Sequence, residues 1–320
     1  MPGDPKLELL TVGRISIDLY CGEIGADWHG ARTFQKAVGG SPTNVAIGAA
    51  RLGHRSAVFT KVGTDPFGEV ATAELRDFGV DTRFVGVEAG TVTPLAFAVL
   101  DPPEDPTLLF RREPPVPDLQ LRPGDLKPQI AIEVPVLWIS AGALSAEPSA
   151  STVEQLLGAR GRRPHTILDL DFRASFWCSR DAASARIGAA VDAATVAVGN
   201  REECAVAVGT SDPHEAAVRL LERGVELAIV KLGGEGVLFA DKSGEHVLGP
   251  PAIDVRCGLG AGDAFGGALC HGLLAGWPHR DAVAFANAAG GIVASRLLCS
   301  AAMPYEDEVR ALLAAREPVR

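Results

Sequence analysis

The chain has 320 residues, 47% of them hydrophobic, and its 30 basic against 40 acidic residues give a formal charge of −10 at pH 7. That balance argues against a nucleic-acid surface, which needs clustered Lys and Arg to neutralise phosphates, and points to small-molecule ligands. Six scattered cysteines without a C-x-x-C pair indicate neither a zinc site nor a disulfide framework. The first residues lack the basic-then-apolar order of a signal peptide, and no apolar run reaches the roughly 20 residues of a membrane span, so a cytoplasmic protein without a membrane partner is expected.

Strand and helix signals alternate along most of the chain. LELLTVG (7–13) is a short apolar run closed by glycine, the pattern of a buried strand. SPTNVAIGAARLG reads as a helix with Ser41 as N-cap, Pro42 at the first helical position and Gly53 as terminator. SAVFTKVG is the next strand, and DPFGEVATAELRDFG repeats the helix punctuation with Asp65, Pro66 and Gly79. The alternation continues through PVLWISA, PSASTVEQLLGAR, HTILDLD, DAASARIGAAVDAA, TVAVG, PHEAAVRLLERG and VELAIVKLG. Repeated strand–helix units predict a parallel, Rossmann-like α/β sheet covered by helices on both faces, in one domain spanning 1–320. Two segments break the rhythm, 15–38 and 91–112. Both hold short β-prone pieces among Gly, Pro and acids, and they are expected to form a small antiparallel lid. EPPVPDLQLRPGDLKP (113–128) reads as a loop.

Ligands of open α/β sheets bind beyond the carboxyl ends of the strands, so polar residues just after strands gain weight. Asp18, Asp169, Asp171, Arg173, Asn200 and Lys231 occupy such positions. The stretch GLGAGDAFGGALCHGLLAGW (258–277) sets Asp263 between a glycine-rich turn and an apolar helix. The free amides of Gly260, Ala261 and Gly262 at a helix start would suit an anion, and Asp263 is either a cap or a base beside a phosphate. G-x-G spacing at this place does not suit a dinucleotide-binding strand–helix–strand unit, because another helix follows, and no Walker sequence is present.

GGSPTNVAIGAARLG (39–53) together with LGAGDAF (259–265), NREE (200–203) and KLGGEG (231–236) resembles, in order, the signatures of the ribokinase-like, or PfkB, carbohydrate kinases. The resemblance covers nearly the whole chain. It implies transfer of the ATP γ-phosphoryl group to a sugar hydroxyl, with Asp263 as base and Gly260, Ala261 and Gly262 as the anion hole. It further implies that Asp18, Gly39, Gly40 and Asn44 hold the sugar. Asn200, Lys231, Gly233, Gly236 and Asn287 would face ATP, and Glu203 would organise Mg²⁺ through water. K⁺ is a candidate monovalent cation and a homodimer a candidate assembly.

Two arginines bear on the substrate, because the planar guanidinium fork suits a carboxylate. TLLFRRE with Arg112 and DLDFRASFW with Arg173 resemble the F-Y-R-E and D-I-D-Y-R-x-x-L-W patterns of the family's branch acting on 5-dehydro-2-deoxygluconate. Arg111 replaces the pattern's tyrosine, PPVPDLQL its polar continuation and Phe176 its leucine, which keeps 2-keto-3-deoxygluconate as the alternative acid. Ribokinase- or fructokinase-like substrates and a non-catalytic sugar sensor on the same fold are the remaining readings.

Overall fold

The structure, a computed structural model, describes residues 6–315. In chain order the elements are β1 (Leu9–Val12), β2 (Ser16–Cys21), β3 (Phe34–Gly39), α1 (Ser41–Arg51), β4 (Ser56–Val62), α2 (Pro66–Asp77), β5 (Val85–Val87), β6 (Leu95–Val99) and β7 (Thr107–Arg111). Then come α3 (Pro128–Glu133), β8 (Val136–Ser140), α4 (Ser149–Arg160), β9 (Thr166–Asp169), α5 (Arg180–Val191), β10 (Val196–Asn200), α6 (Arg201–Val208), α7 (Pro213–Glu222) and β11 (Leu227–Lys231). The last are β12 (Val237–Asp241), β13 (Gly244–Leu248), α8 (Ala261–Leu274), α9 (His279–Ala294) and α10 (Glu306–Ala314).

Nine strands form the main sheet in the order β13-β12-β11-β10-β9-β8-β1-β4-β5, parallel from β11 to β5. The period of two along each strand builds two cores. Leu9, Val136, Trp138, Ile167, Val198 and Ile229 pack on one face against α1, α8 and α9. Leu10, Leu137, Ile139, Leu168, Ala197 and Ala228 pack on the other against α4, α5 and α7. Burial on both faces explains why these strands read as continuous apolar runs. The β12–β13 hairpin extends the sheet antiparallel beyond β11 and was not foreseen, because EGVLFADKSGEHVLG lacks the strand–helix alternation used as the guide.

Segments 15–38 and 91–112 supply a second, four-stranded sheet, β3-β2-β6-β7. β2–β3 and β6–β7 are antiparallel as expected, whereas β2 and β6 run parallel, because the chain returns to β6 through β4, α2 and β5 instead of a tight turn. Among the described residues no helix is long and apolar enough to cross a membrane.

The start of α1 corrects one expectation. Ser41 is not the cap: Gly40 holds that position with φ 101°, Ser41 is the first helical residue and Pro42 follows it. The Ser41 hydroxyl instead donates to Asp169 at 3.1 Å, a long-range bond in place of a local one. At α2 the expectation holds, since Asp65 accepts from the Phe67 and Gly68 amides.

α1 and α8 pack with almost nothing between them. A Cβ placed on Gly267 would lie 3.0 Å from the Ala49 amide nitrogen and 3.0 Å from the Gly48 Cα, both backbone atoms of α1. Gly267→Ala should therefore force the helices apart and destabilise the protein by about 1–3 kcal/mol. Gly158→Ala in α4, where an added Cβ meets nothing within 4 Å, should be neutral or stabilise by up to about 1 kcal/mol. Urea unfolding midpoints of the two variants check this; equal midpoints would remove the close approach as the cause.

Candidate active site

β1 is the point where the sheet order reverses: the chain first builds outward through β4 and β5, then starts again at β8 on the other side of β1. Ligand crevices in open parallel sheets lie beyond the carboxyl ends of strands at such a point. Here that crevice gathers residues after β1, β8, β9 and β11, the start of α1, β2 of the small sheet and the start of α8.

At α8, Gly260 is the cap residue with φ 86°, and a Cβ there would collide with Cys299 Sγ at 1.8 Å, so both conformation and space demand glycine. Asp263 is the third helical residue and makes no cap bond, which excludes its reading as an N-cap. Among the described residues the amides of Gly260, Ala261 and Gly262 donate to no backbone carbonyl, while that of Asp263 donates to Gly260 O at 3.1 Å. Asn44 Nδ2, from α1, donates to Asp263 Oδ2 at 2.8 Å. Removal from water pushes the Asp263 carboxyl up from its ordinary value; the Asn44 bond and the nearby Arg14 charge oppose that rise. Asn44 is only 2% exposed, and its Oδ1 is buried without a partner, an unspent acceptor beside the carboxylate.

Asp18 on β2 is buried and accepts from Ser16 Oγ at 2.7 Å and Tyr20 Oη at 3.5 Å. Burial raises it to about 6, against the Ser16 bond and the Arg14 charge. Its carboxyl fills the place where a Gly39 Cβ would stand, 2.0 Å from Oδ2, which accounts for the first glycine of the pair. Gly40 in turn leaves room for the Arg14 carbonyl, 2.4 Å from its would-be Cβ.

Beyond β9, Asp169 is raised to about 7 by burial, offset by the Lys231 charge. Burial acts to raise Asp171 too, but the Arg14 and Arg173 charges and a 2.9 Å bond from Ser140 Oγ outweigh it and hold the carboxyl well below its usual range. Arg14 Nη1 donates directly to Asp171 Oδ2. Asp18, expected just after a strand, lies within β2 instead. Sequence reasoning singled out no role for Arg14, although it stands two residues after β1, and an arginine after a strand end is the signal that could have found it.

The two arginines expected to hold a carboxylate differ in availability. Arg112 is engaged in a fork by Asp118, Nη2 to Oδ1 at 2.6 Å and Nη1 to Oδ2 at 3.0 Å, and lies 4.5 Å over the Phe176 ring. Asp118 is 1% exposed and sits in the stretch read as a plain loop. Arg173 is freer: its side chain is 35% exposed, its Nη2 is 3.6 Å from Asp171 Oδ1, and its Nε is buried without a partner. Of the two, Arg112 is paired, with one N–H of each terminal nitrogen engaged by Asp118, while Arg173 is the less committed.

On the β10–β11 side, Asn200 and Glu203 form a capping box on α6, Glu203 N to Asn200 Oδ1 at 2.9 Å and Asn200 N to Glu203 Oε2 at 2.7 Å. Lys231 Nζ is 3.9 Å from Glu203 Oε2 and 3.2 Å from where a Gly262 Cβ would stand, so the ammonium lies at the start of α8. Burial would lower Lys231, but Glu203 and Asp169 leave it raised and therefore charged. Gly233 and Gly236 flank the tight turn between β11 and β12. Asn287 on α9 donates to Gly249 O at 2.8 Å and fixes the stretch after β13. Among the described residues no three His, Cys, Asp or Glu side chains form a metal-binding group.

The arrangement can take a proton at Asp263, hold an anion at the bare amides and Lys231, and fix hydroxyls at Asp18 and Asn44. Residues 6–306 match the model of the pfkB family carbohydrate kinase. The 5-dehydro-2-deoxygluconokinase of Geobacillus thermodenitrificans (strain NG80-2) is 34% identical, with 95% of this chain and 92% of that protein aligned. The 5-dehydro-2-deoxygluconokinase of Bacillus anthracis is 32% identical, with 97% and 96% aligned. Among solved structures, the fructokinase of Vibrio cholerae O395 in fructose-, ADP- and calcium-bound form superposes with a TM-score of 0.85 at 26% identity, covering 97% of this chain and 100% of that one. The chain belongs to the pfkB family of carbohydrate kinases, and is a phosphotransferase with a sugar hydroxyl as acceptor.

Proposed function

We propose that the protein is an ATP-dependent sugar-acid kinase whose substrate is 5-dehydro-2-deoxygluconate. The reading of the chemistry rests on the Asn44–Asp263 hydrogen bond, which joins the two signature motifs at one carboxylate. The substrate reading is supported by the names of the curated relatives and by Arg173, a guanidinium at the sugar end with an unpartnered buried Nε. An ATP- and Mg²⁺-bound relative structure of the same fold supports the phosphoryl donor.

Asp263 removes the proton from the acceptor hydroxyl as its oxygen bonds to the γ-phosphorus and the bond to the leaving ADP oxygen breaks. Asn44 holds one carboxylate oxygen, leaving Oδ1 of Asp263 for the hydroxyl, and offers its own Oδ1 to a second sugar hydroxyl. Asp18, fixed by Ser16 and Tyr20, accepts from another. The amides of Gly260, Ala261 and Gly262 and the Lys231 ammonium face the charge that builds on the transferred group, with no reorganisation needed as it forms. Glu203 suits an outer-sphere Mg²⁺ partner: Oε2 is committed to Asn200, and Oε1 is left to bond water. When bound, the metal ion would neutralise phosphate charge. The small sheet is read as a lid that excludes water from the transfer.

Asp263→Asn should fold as the parent does, because its hydrogen bond to Asn44 can be kept by an amide flip, and lose about 10²–10⁴-fold in kcat. A near-parental kcat in a coupled ADP-release assay would remove Asp263 as the base.

Arg173→Ala should raise KM for the keto acid and lower its kcat/KM by roughly 10- to 150-fold, since a hydrogen bond to a charged group is worth about 1.5–3 kcal/mol. Turnover of ribose or fructose should change little. Equal parental efficiency on neutral sugars and on the acid would leave the kinase reading standing and sink the substrate.

Substrate should slow amide hydrogen exchange in β2, β3, β6 and β7 more than ATP alone does. Unchanged exchange with the sugar acid bound would refute the lid.

A further inference from the structure

Phe176 has no role in the reading above, yet it stands where the small sheet meets the main one. It closes a single turn of 3₁₀ helix after β9 (Ala174–Phe176), and its amide donates to the Arg173 carbonyl at 2.9 Å. Its ring reaches β7 of the small sheet. There the Phe110 ring meets it edge-on, with centroids 5.0 Å apart and planes at 74°, and the Arg112 guanidinium lies 4.5 Å from its centroid. The Arg14 guanidinium, after β1, lies 5.8 Å from the same centroid. The negative face of a benzene ring attracts guanidinium groups, and its positive edge suits the face of a second ring. One side chain thus ties the turn that follows Arg173 to the end of β7.

Arg173 itself is loosely held. Its side chain makes only long contacts, Nη1 to the Phe172 carbonyl at 3.4 Å and Nη2 to Asp171 Oδ1 at 3.6 Å, and its Nε is without a partner. A guanidinium tethered so weakly takes its place from the backbone beneath it. That backbone continues into Ala174 and Ser175, which are exposed, so the turn is fastened by Trp177, buried in the core, and by the Phe176 ring. The seat of the ring is firm: Arg112 is clamped by its fork to Asp118, which is itself buried and accepts from the Ile15 amide at 3.3 Å. The 5-dehydro-2-deoxygluconate pattern has leucine at this position. A leucine offers neither a face for Arg112 nor an edge partner for Phe110.

We propose that Phe176 is a positioning residue for substrate recognition: braced on Phe110 and Arg112, its ring holds the turn that aims Arg173 at the carboxylate of the sugar acid. The inference rests on the substrate reading above, in which Arg173 receives that carboxylate. Arg112 then acts through the ring, as its support. The carboxylate lies away from the reacting hydroxyl and keeps its charge throughout the transfer, so its contact is equally strong before and at the transition state. Loss of Phe176 is therefore felt in KM for the acid and not in kcat.

The test is steady-state kinetics of the full chain with 5-dehydro-2-deoxygluconate and ATP, for Phe176→Leu, Phe176→Tyr, Arg173→Ala and the double variant Phe176→Leu/Arg173→Ala. Phe176→Leu should raise KM for the acid by roughly 5- to 50-fold, the combined size of one aromatic pair and one cation–π contact, with kcat and the KM for ATP near the parent's. Phe176→Tyr keeps the ring and should stay close to the parent. In the Arg173→Ala background the exchange to leucine should change KM little, because the residue it acts through is gone. If the leucine variant is less stable, the comparison still reads, since both backgrounds carry the same loss. Independent effects of the two exchanges would overturn the proposal and leave the Arg173 contact standing. So would a fall in kcat, an equal rise in the KM for ATP, or a Phe176→Tyr as impaired as Phe176→Leu. An Arg173→Ala variant with the parent's KM for the acid would remove the substrate reading and the inference with it.

Discussion

The contact on which the rest depends is the side-chain-free approach of α1 to α8. Gly267 faces Gly48 and Ala49, and Gly266 faces Val45 and the Trp138 ring, where an added Cβ would lie 2.6 Å from the ring. With the helices this close, the first turns of both reach the same spot. Asn44 and Asp263 are 219 residues apart in sequence and 2.8 Å apart in space. A larger residue at the crossing would push the helix axes apart and strain that hydrogen bond, so the glycines after Asp263 bear on the site as well as those before it. Trp138 holds the pair against β8 at a cost, since its indole N–H is buried without a partner. The fold accepts that cost to seat a large ring under α8.

That crossing also concentrates charge. Four carboxylates, Asp18, Asp169, Asp171 and Glu203, are nearly buried around the site, and burial alone would neutralise most of them. The structure distributes its cations so that they do not behave alike. Asp171, next to Arg14, is held ionised, whereas Asp169 and Asp18 are lifted toward neutrality. Groups of one type are thus driven to different protonation states by position, the arrangement expected where some carboxyls must accept protons and others only orient or anchor.

Much of this was legible in the sequence, for identifiable reasons. Core strands between helices are apolar on both faces, and helix starts carry local punctuation, so β1, α1, β4, α2 and the strands β8 to β11 could be placed from windows of a few residues. Asp263, Asn44, Glu203 and Lys231 could be singled out because each lies at a strand end or in an ordered motif, whereas Asp18, read as following a strand, lies within β2. What failed to show were the partners. Ser41 reads as a cap from its neighbours, but its bond goes to Asp169, 128 residues away. Asp118 reads as a loop acid, yet it is almost fully buried against Arg112. Arg14 follows β1 closely, but nothing local announces its bond to Asp171, 157 residues away. Pairing across the fold is a tertiary property, and single-residue positional rules find candidates without saying which of them are already spent.

The partner accounting bears on which sugar the site prefers. Three arginines cluster about Phe176 and Asp171: Arg14, Arg112 and Arg173. Two carboxylates answer them, Asp171 and Asp118. Arg112 is matched in a fork and Arg14 through its direct bond, while Arg173, the most exposed of the three, shares Asp171 at 3.6 Å and keeps a buried Nε without a partner. A neutral sugar covering that guanidinium would strip its water and return nothing, which disfavours neutral ligands without any steric clash. On the proposed reading, a sugar acid would bring a carboxylate to that guanidinium. Acid selection would then depend on Asp118 as well as on Arg173: by engaging one N–H of each Arg112 terminal nitrogen, it leaves Arg173 the less committed guanidinium.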